Sequence, residues 1–132
     1  MTYVKAKVRV SGRKKEIEDV VLVDTGASLT LLDKDSAHEV DVEFIGRKVS
    51  VTVADGHELP AELAVVKKLT VNGEELPYAY VATLKFPEKL KEKLSELKVS
   101  SWCILGLTTL ELLQLIPDPT TGKLRKTSAL FL

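Results

Sequence analysis

Cysteine is almost absent from this chain. Cys103 is the only one, which excludes an internal disulfide framework and fits a reducing compartment, with the cytoplasm as the expected location. An excess of one charge sign is missing too. Lys plus Arg number 19 and so do Asp plus Glu, leaving no basic surplus for a nucleic-acid partner. No apolar stretch approaches the roughly 20 residues of a membrane-spanning helix. The start, Met1 to Lys5, alternates polar and apolar residues and lacks the apolar block of a signal peptide. His38 and His57 have no second His or Cys at metal-ligand spacing, so both read as surface residues and no metal site is expected. Asn72 and Gln114 are the only side-chain amides. Their scarcity beside abundant Lys and Glu follows the hyperthermophile trend; chance in a short chain is the plain alternative.

What is present is a globular composition, 45% apolar and 29% charged, in 132 residues. That length suits one core and one domain spanning 1–132. Residues 2–10 alternate Val4, Ala6, Val8 and Val10 against Tyr3, Lys5, Lys7 and Arg9, the period of a half-buried strand. A turn at 11–15 leads to a second strand at 16–23. Further strands are expected at 29–32, 44–53, 58–70, 76–84 and 124–132, with Asp55-Gly56 and Asn72-Gly73 as hairpin turns. Asp33 to Val40 is polar and suits a helical turn, with Asp33 and Asp35 solvated or capping it. Leu90, Leu94 and Leu97 recur at helical spacing behind Pro87, which suits a first helical position, predicting an amphipathic helix over 87–98. Its leucines face either the core or an interface. Thr108 and Glu111 have the spacing of a capping box, opening a helix that Pro117-Asp118-Pro119 stops. The fold class is mainly β with one or two short helices. Cys103, between Trp102 and Ile104, reads as a small buried hydrophobe.

One segment stands apart. Val20 to Val23 is a run of four aliphatic residues, the pattern of a strand buried on both faces, and it drives directly into Asp24-Thr25-Gly26-Ala27-Ser28. A carboxylate at the end of such a strand is costly unless paired, hydrogen-bonded or used. Gly26, lacking a Cβ, admits a sharp turn and close backbone approach. An Asp ending a turn is common and needs no function. Here, however, an apolar-apolar-Gly segment, Ile104-Leu105-Gly106, follows some eighty residues later and precedes a helix.

These residues, in this order, resemble a retropepsin-type aspartic protease, closer to single-lobed cellular, prokaryotic or archaeal members than to viral ones. The resemblance runs over most of the chain. It implies a closed β-barrel lobe and a homodimer in which each copy supplies one Asp24, the C2 axis passing between them. Two carboxylates so close share one proton, as in aspartic proteases generally. They would activate a water against a peptide bond without metal or organic cofactor. It further implies that Thr25 bonds across the axis and that Gly26, Ala27 and Ser28 shape the loop. Ile104, Leu105 and Gly106 would support it. Residues 49–62, with Val53, Ala54, Asp55, Gly56 and His57 at the tip, would form a flap over an extended peptide or protein substrate.

The chain departs from the viral pattern in three places. Ser28 and Leu107 stand where viral enzymes carry an ion-paired acid and Arg. The tip has one glycine, Gly56, beside Asp55, His57 and Glu58. Residues 86–100 read as an insertion over the outer face or near the dimer seam. The alternative function is a catalytically silent dimer that binds extended peptides or partner proteins. Asp24 to Ser28 also resembles the phosphate loop of actin-like ATPases, but that fold needs a far longer two-lobed chain.

Overall fold

The computed structural model describes residues 3–52 and 56–128. Among the described residues, nine strands and three short helices follow in the order β1 (Lys5–Ser11), β2 (Glu16–Val23), β3 (Thr30–Asp33), α1 (Lys34–Val40), β4 (Glu43–Thr52), β5 (Glu58–Val71), β6 (Glu74–Leu84), α2 (Glu88–Glu96), β7 (Cys103–Leu105), α3 (Leu107–Leu112), β8 (Leu115–Asp118) and β9 (Lys123–Lys126). The main sheet runs β1-β2-β7-β3-β6-β5-β4, and β1 also pairs with β5. Six strands therefore close into a barrel, with β4 appended to β5 as an edge. Closure removes the free edges that an open sheet of these strands would expose.

Period-2 patterning sets which side chains fill the barrel. Ala6, Val8 and Val10 of β1 point inward and are buried, while Lys7 and Arg9 remain outside and pair with Glu18 of β2. Lys7, chiefly, holds the Glu18 carboxyl below the usual range; an exposed pair of this kind adds little stability. The interior cluster also takes Val21, Leu32, Val66, Leu69, Val81 and Leu105. At the β5–β6 turn, Asn72 and Gly73 both have positive φ, 49° and 87°, the geometry of a two-residue hairpin turn. The Asn72 carboxamide oxygen accepts the Lys7 N–H at 3.0 Å and so ties this turn to β1.

A second apolar cluster lies outside the barrel wall, formed by Leu31, Ala61, Ala82, Leu84, Phe86, Leu94 and Ile104. Helix α2 covers it. Leu94 is fully buried there and Leu90 packs beside it, so these two leucines face a core. Lys5 Nζ donates to the Leu97 carbonyl at 2.6 Å, pinning the end of this segment to β1.

Several expectations are corrected. The run Val20–Val23 is not buried on both faces: Val21 is fully buried, but Val20, which points to the opposite face of the strand, is 42% exposed. Asp33 is neither solvated nor a side-chain cap. It is buried, and its Oδ1 accepts the Phe86 N–H at 2.9 Å, holding the start of the α2 segment against β3. Pro87 is the N-cap of α2, not its first helical residue. Helix α3 starts at Leu107 with Gly106 as N-cap and no side-chain cap bond, so Thr108 and Glu111 form no capping box. Strand β3 begins at Thr30, not Leu29. Pro117 does not close off regular structure: residues 115–118 form β8, paired with β9. A two-stranded ribbon tolerates a proline whose missing N–H faces away from the ladder. Of the strand expected over 124–132, residues 123–126 are strand and residues 129–132 lie outside the described residues.

Candidate active site

The barrel places Asp24 through one strand pairing. β7 lies between β2 and β3, parallel to the first and antiparallel to the second, so Leu22, Ile104 and Leu31 form one row. The Asp24 N–H extends the β2–β7 ladder by donating to the Leu105 carbonyl at 2.9 Å. The chain then leaves β2 as the loop 24–29, passes the end of β7 and returns as β3. The carboxylate thus projects from the last rung of a hydrogen-bonded ladder, a stiff support.

Short bonds hold the loop. Asp24 Oδ1 accepts the Gly26 N–H at 2.9 Å, and the Asp24 carbonyl accepts the Ala27 N–H at 3.1 Å. A Cβ on Gly26 would sit 3.1 Å from that same Oδ1, so the glycine leaves room beside the carboxylate. From the α3 side, the Leu107 N–H donates to the Ala27 carbonyl at 2.8 Å and the Thr108 N–H to the Ser28 carbonyl at 2.9 Å. Ser28 and Leu107 cannot form an ion pair, and the loop is held to α3 instead by these two backbone bonds, Leu107 to Ala27 and Thr108 to Ser28. Asp24, Thr25, Gly26 and Ser28 are exposed and Ala27 half-buried. Asp24 makes no ion pair among the described residues.

Within this site, Gly106 is packed more tightly than Gly26. A Cβ there would meet the Leu29 carbonyl carbon at 2.3 Å, its oxygen at 2.4 Å and Thr30 N at 2.7 Å. Only glycine lets the end of β7 pass so close beneath the loop. Ile104 and Leu105 are buried in the two separate clusters, Ile104 outside the barrel and Leu105 within it.

Two residues that sequence reasoning left out complete the support. The Thr30 hydroxyl accepts the Gly106 N–H at 3.0 Å and shares a buried hydrogen bond of 2.8 Å with the Thr109 hydroxyl. Thr30 was legible only as a strand residue and Thr109 only as part of a capping spacing; their partners are 76 and 79 residues distant. Removing the Thr30 hydroxyl orphans a buried N–H and a buried hydroxyl, at about 1–3 kcal/mol for such groups. Thr30→Val is therefore expected to lower stability by that amount in denaturant unfolding, and Thr30→Ser to retain most of it.

The β4–β5 hairpin contributes apolar side chains on the same side. Val49, Val51 and Leu59 pack against the outer cluster with Leu22 and Leu29. Thr52 pairs with Glu58, and Gly56 has φ 88°. His57 is exposed. The expected flap-tip residues Val53, Ala54 and Asp55 lie outside the described residues. Cys103 is buried, and burial pushes its thiol up to about 12, so it stays protonated and acts as a small hydrophobe. Among the described residues no cluster of three or more His, Cys, Asp or Glu is placed to hold a metal. None of the described helices is long and apolar enough to cross a membrane.

Comparison with known proteins agrees with this architecture. No curated protein sequence matches the chain significantly. Among solved structures, the retroviral protease-like domain of Ddi1 from Leishmania major is similar over 98% of this chain and 91% of that one, at 16% identity and a TM-score of 0.54. A retropepsin-like aspartic protease from Rickettsia conorii is similar more loosely, over 85% and 84%, at 15% identity and a TM-score of 0.42. The first likeness shows the retropepsin-like fold. The sequence profile described as aspartyl protease matches residues 6–109, from β1 through the start of α3. That span takes in both Asp24 and Gly106, and the chain belongs to the aspartyl protease family.

Proposed function

We propose that this chain is one lobe of a homodimeric aspartic endopeptidase, its 132 residues acting as a unit and its active site completed by a second copy. The observation that carries the reading is Asp24: an exposed carboxylate, without an ion pair among the described residues, at the end of a strand laddered onto β7. A charge placed so contributes little to stability alone, yet its rigid mounting is what a pair of facing carboxylates needs. Family membership and the retropepsin-like fold favour the same use.

In the dimer one Asp24 carries a proton and the other does not. The ionised carboxylate takes a proton from a water held between them, and the water oxygen bonds to the scissile carbonyl carbon. The protonated carboxyl donates to the carbonyl oxygen. Collapse of the tetrahedral species breaks the C–N bond as the nitrogen gains a proton. Thr25 would steady the pair across the axis, and the β4–β5 hairpin would close over an extended peptide and exclude water.

Dilution tests this reading. A site built from two chains loses specific activity per chain as concentration drops through the dimer dissociation constant. Peptidase activity followed over a roughly hundredfold dilution is therefore expected to fall more steeply than protein concentration. Activity per chain that stays constant down to a monomer by light scattering overturns it.

A further inference from the structure

The turn that joins β5 to β6 carries the only asparagine of the chain, and a glycine follows it. Asn72 and Gly73 are both exposed, with φ of 49° and 87°. Apart from the chain neighbours of Gly73, no atom lies within 4 Å of where a Cβ on it would stand, so solvent reaches the peptide bond between the two residues. Asparagine before glycine is the pair in which a backbone nitrogen most readily attacks the side-chain amide, because glycine has no Cβ to obstruct the approach. Of the two side-chain amides in this chain, Asn72 therefore has the reactive neighbour.

The fold holds both reacting groups in place. Asn72 Oδ1 accepts the Lys7 N–H at 3.0 Å, and the Asn72 N–H donates to the Lys7 carbonyl at 2.9 Å. These bonds continue the β1–β5 ladder past its Val8–Val71 rung, the pairing that closes the barrel. Across the turn itself, Val71 pairs with Glu74. A two-residue turn with positive φ at both positions fixes the backbone torsions between these rungs. Attack of the Gly73 nitrogen on Asn72 Cγ closes a five-membered ring. That ring needs the Asn72 Cα–C bond to rotate out of the left-handed region and the Cα–Cβ bond to swing the carboxamide off Lys7. Neither rotation is compatible with the closed turn.

We propose that Asn72-Gly73 is a deamidation site gated by closure of the barrel. While the turn stays on β1, the amide is withheld. When the turn opens, the Gly73 nitrogen gives its proton to a solvent base and bonds to Asn72 Cγ. The Cγ–Nδ2 bond breaks, that nitrogen leaves as ammonia, and a five-membered imide remains. Water then adds to one imide carbonyl and a ring C–N bond breaks. Attack at Cγ leaves aspartate; attack at the backbone carbonyl leaves isoaspartate, whose main chain runs through Cβ and Cγ. One water is consumed, one ammonia is released and nothing is oxidised. Isoaspartate lengthens the turn by one main-chain atom, so the two bonds to Lys7 no longer re-form in register. An opening that was reversible thereby becomes permanent. None of this depends on hydrolysis at Asp24.

The test uses the full chain carrying Asp24→Ala, which keeps self-cleavage out of long incubations and adds no new amide. It is held folded, and separately in denaturing guanidinium, at mildly alkaline pH. Peptide mass spectrometry follows the amide-to-acid mass gain at Asn72. Conversion is expected in the denatured chain and about tenfold or more slower in the folded one. Val8→Ala loosens the adjacent rung and leaves Asn72-Gly73 untouched, so it is expected to speed folded-state conversion about tenfold. Sub-denaturing guanidinium is expected to act in the same direction with Val8 intact. Chain converted in guanidinium and refolded is expected to melt lower by about 3 °C or more. Asn72→Asp keeps the acceptor for the Lys7 N–H and is expected to melt with the unmodified chain. Four results each overturn the proposal: no conversion when denatured, equal rates folded and denatured, a folded-state rate indifferent to both Val8→Ala and guanidinium, or a converted chain that melts with the unmodified one.

Discussion

Asp24→Asn is expected to cut peptide hydrolysis by about a thousandfold or more while leaving the folded chain intact. The argument rests on what the amide keeps and what it loses. Asp24 Oδ1 accepts the Gly26 N–H at 2.9 Å, and an Asn carbonyl oxygen can accept the same bond, so the loop keeps its shape. Asp24 is exposed and without an ion pair among the described residues, so stability is expected to stay within about 0.5 kcal/mol. Lost is the ability to take and return a proton, on which both steps of the proposed reaction depend. A mass-spectrometric peptide-library digest at acidic and neutral pH, run at elevated temperature, reads the difference directly. Cleavage by wild type alone supports the peptidase. Equal cleavage by both proteins sinks the role of Asp24, and cleavage by neither overturns the peptidase reading.

Gly106→Ala is the second large effect, and it acts on the scaffold. The added methyl would meet three backbone atoms of Leu29 and Thr30 at 2.3 to 2.7 Å. Backbone cannot swing aside as a side-chain tip can, so the loop that carries Asp24 must move off β7. That movement strains the bond from the Gly106 N–H to the Thr30 hydroxyl and, with it, the buried contact to Thr109. A cost of about 3 kcal/mol or more is expected, and a Tm lower by about 10 °C or more. Gly26→Ala makes the contrast. Its methyl would approach only the Asp24 Oδ1, at 3.1 Å, so it is expected to disturb the carboxylate more than the fold. Thermal unfolding of the two variants side by side checks the order. A Gly106→Ala protein that melts with wild type shows that the loop yields.

Much of the architecture was legible because it is written in local patterns. The inward residues of β1 alternate with cations, and Asn72-Gly73 announces its turn by the residues a left-handed backbone prefers. The helical spacing of Leu90 and Leu94 likewise marks α2. Strand β8 escaped notice because Pro117 reads as a breaker, and only its place in a two-stranded ribbon with β9 makes it tolerable. Asp33 looked like a helix cap because it precedes α1. Its actual partner, the Phe86 N–H, lies 53 residues later and is brought near by the β3–β6 pairing. Thr30 and Thr109 were invisible as a pair for the same reason.

The sequence by itself determined the family, the strand carrying Asp24 and the matching segment Ile104-Leu105-Gly106. Those depend on residue type and short-range order, which a chain displays before it folds. Only the tertiary structure decided that β7 passes between β2 and β3 and so stiffens the Asp24 loop from below. It also decided that α2 turns its leucines onto a core, and that two hydroxyls 79 residues apart hold the end of β7. These depend on which surfaces meet when the barrel closes. Closure is a property of long-range pairing, and no local spacing encodes it.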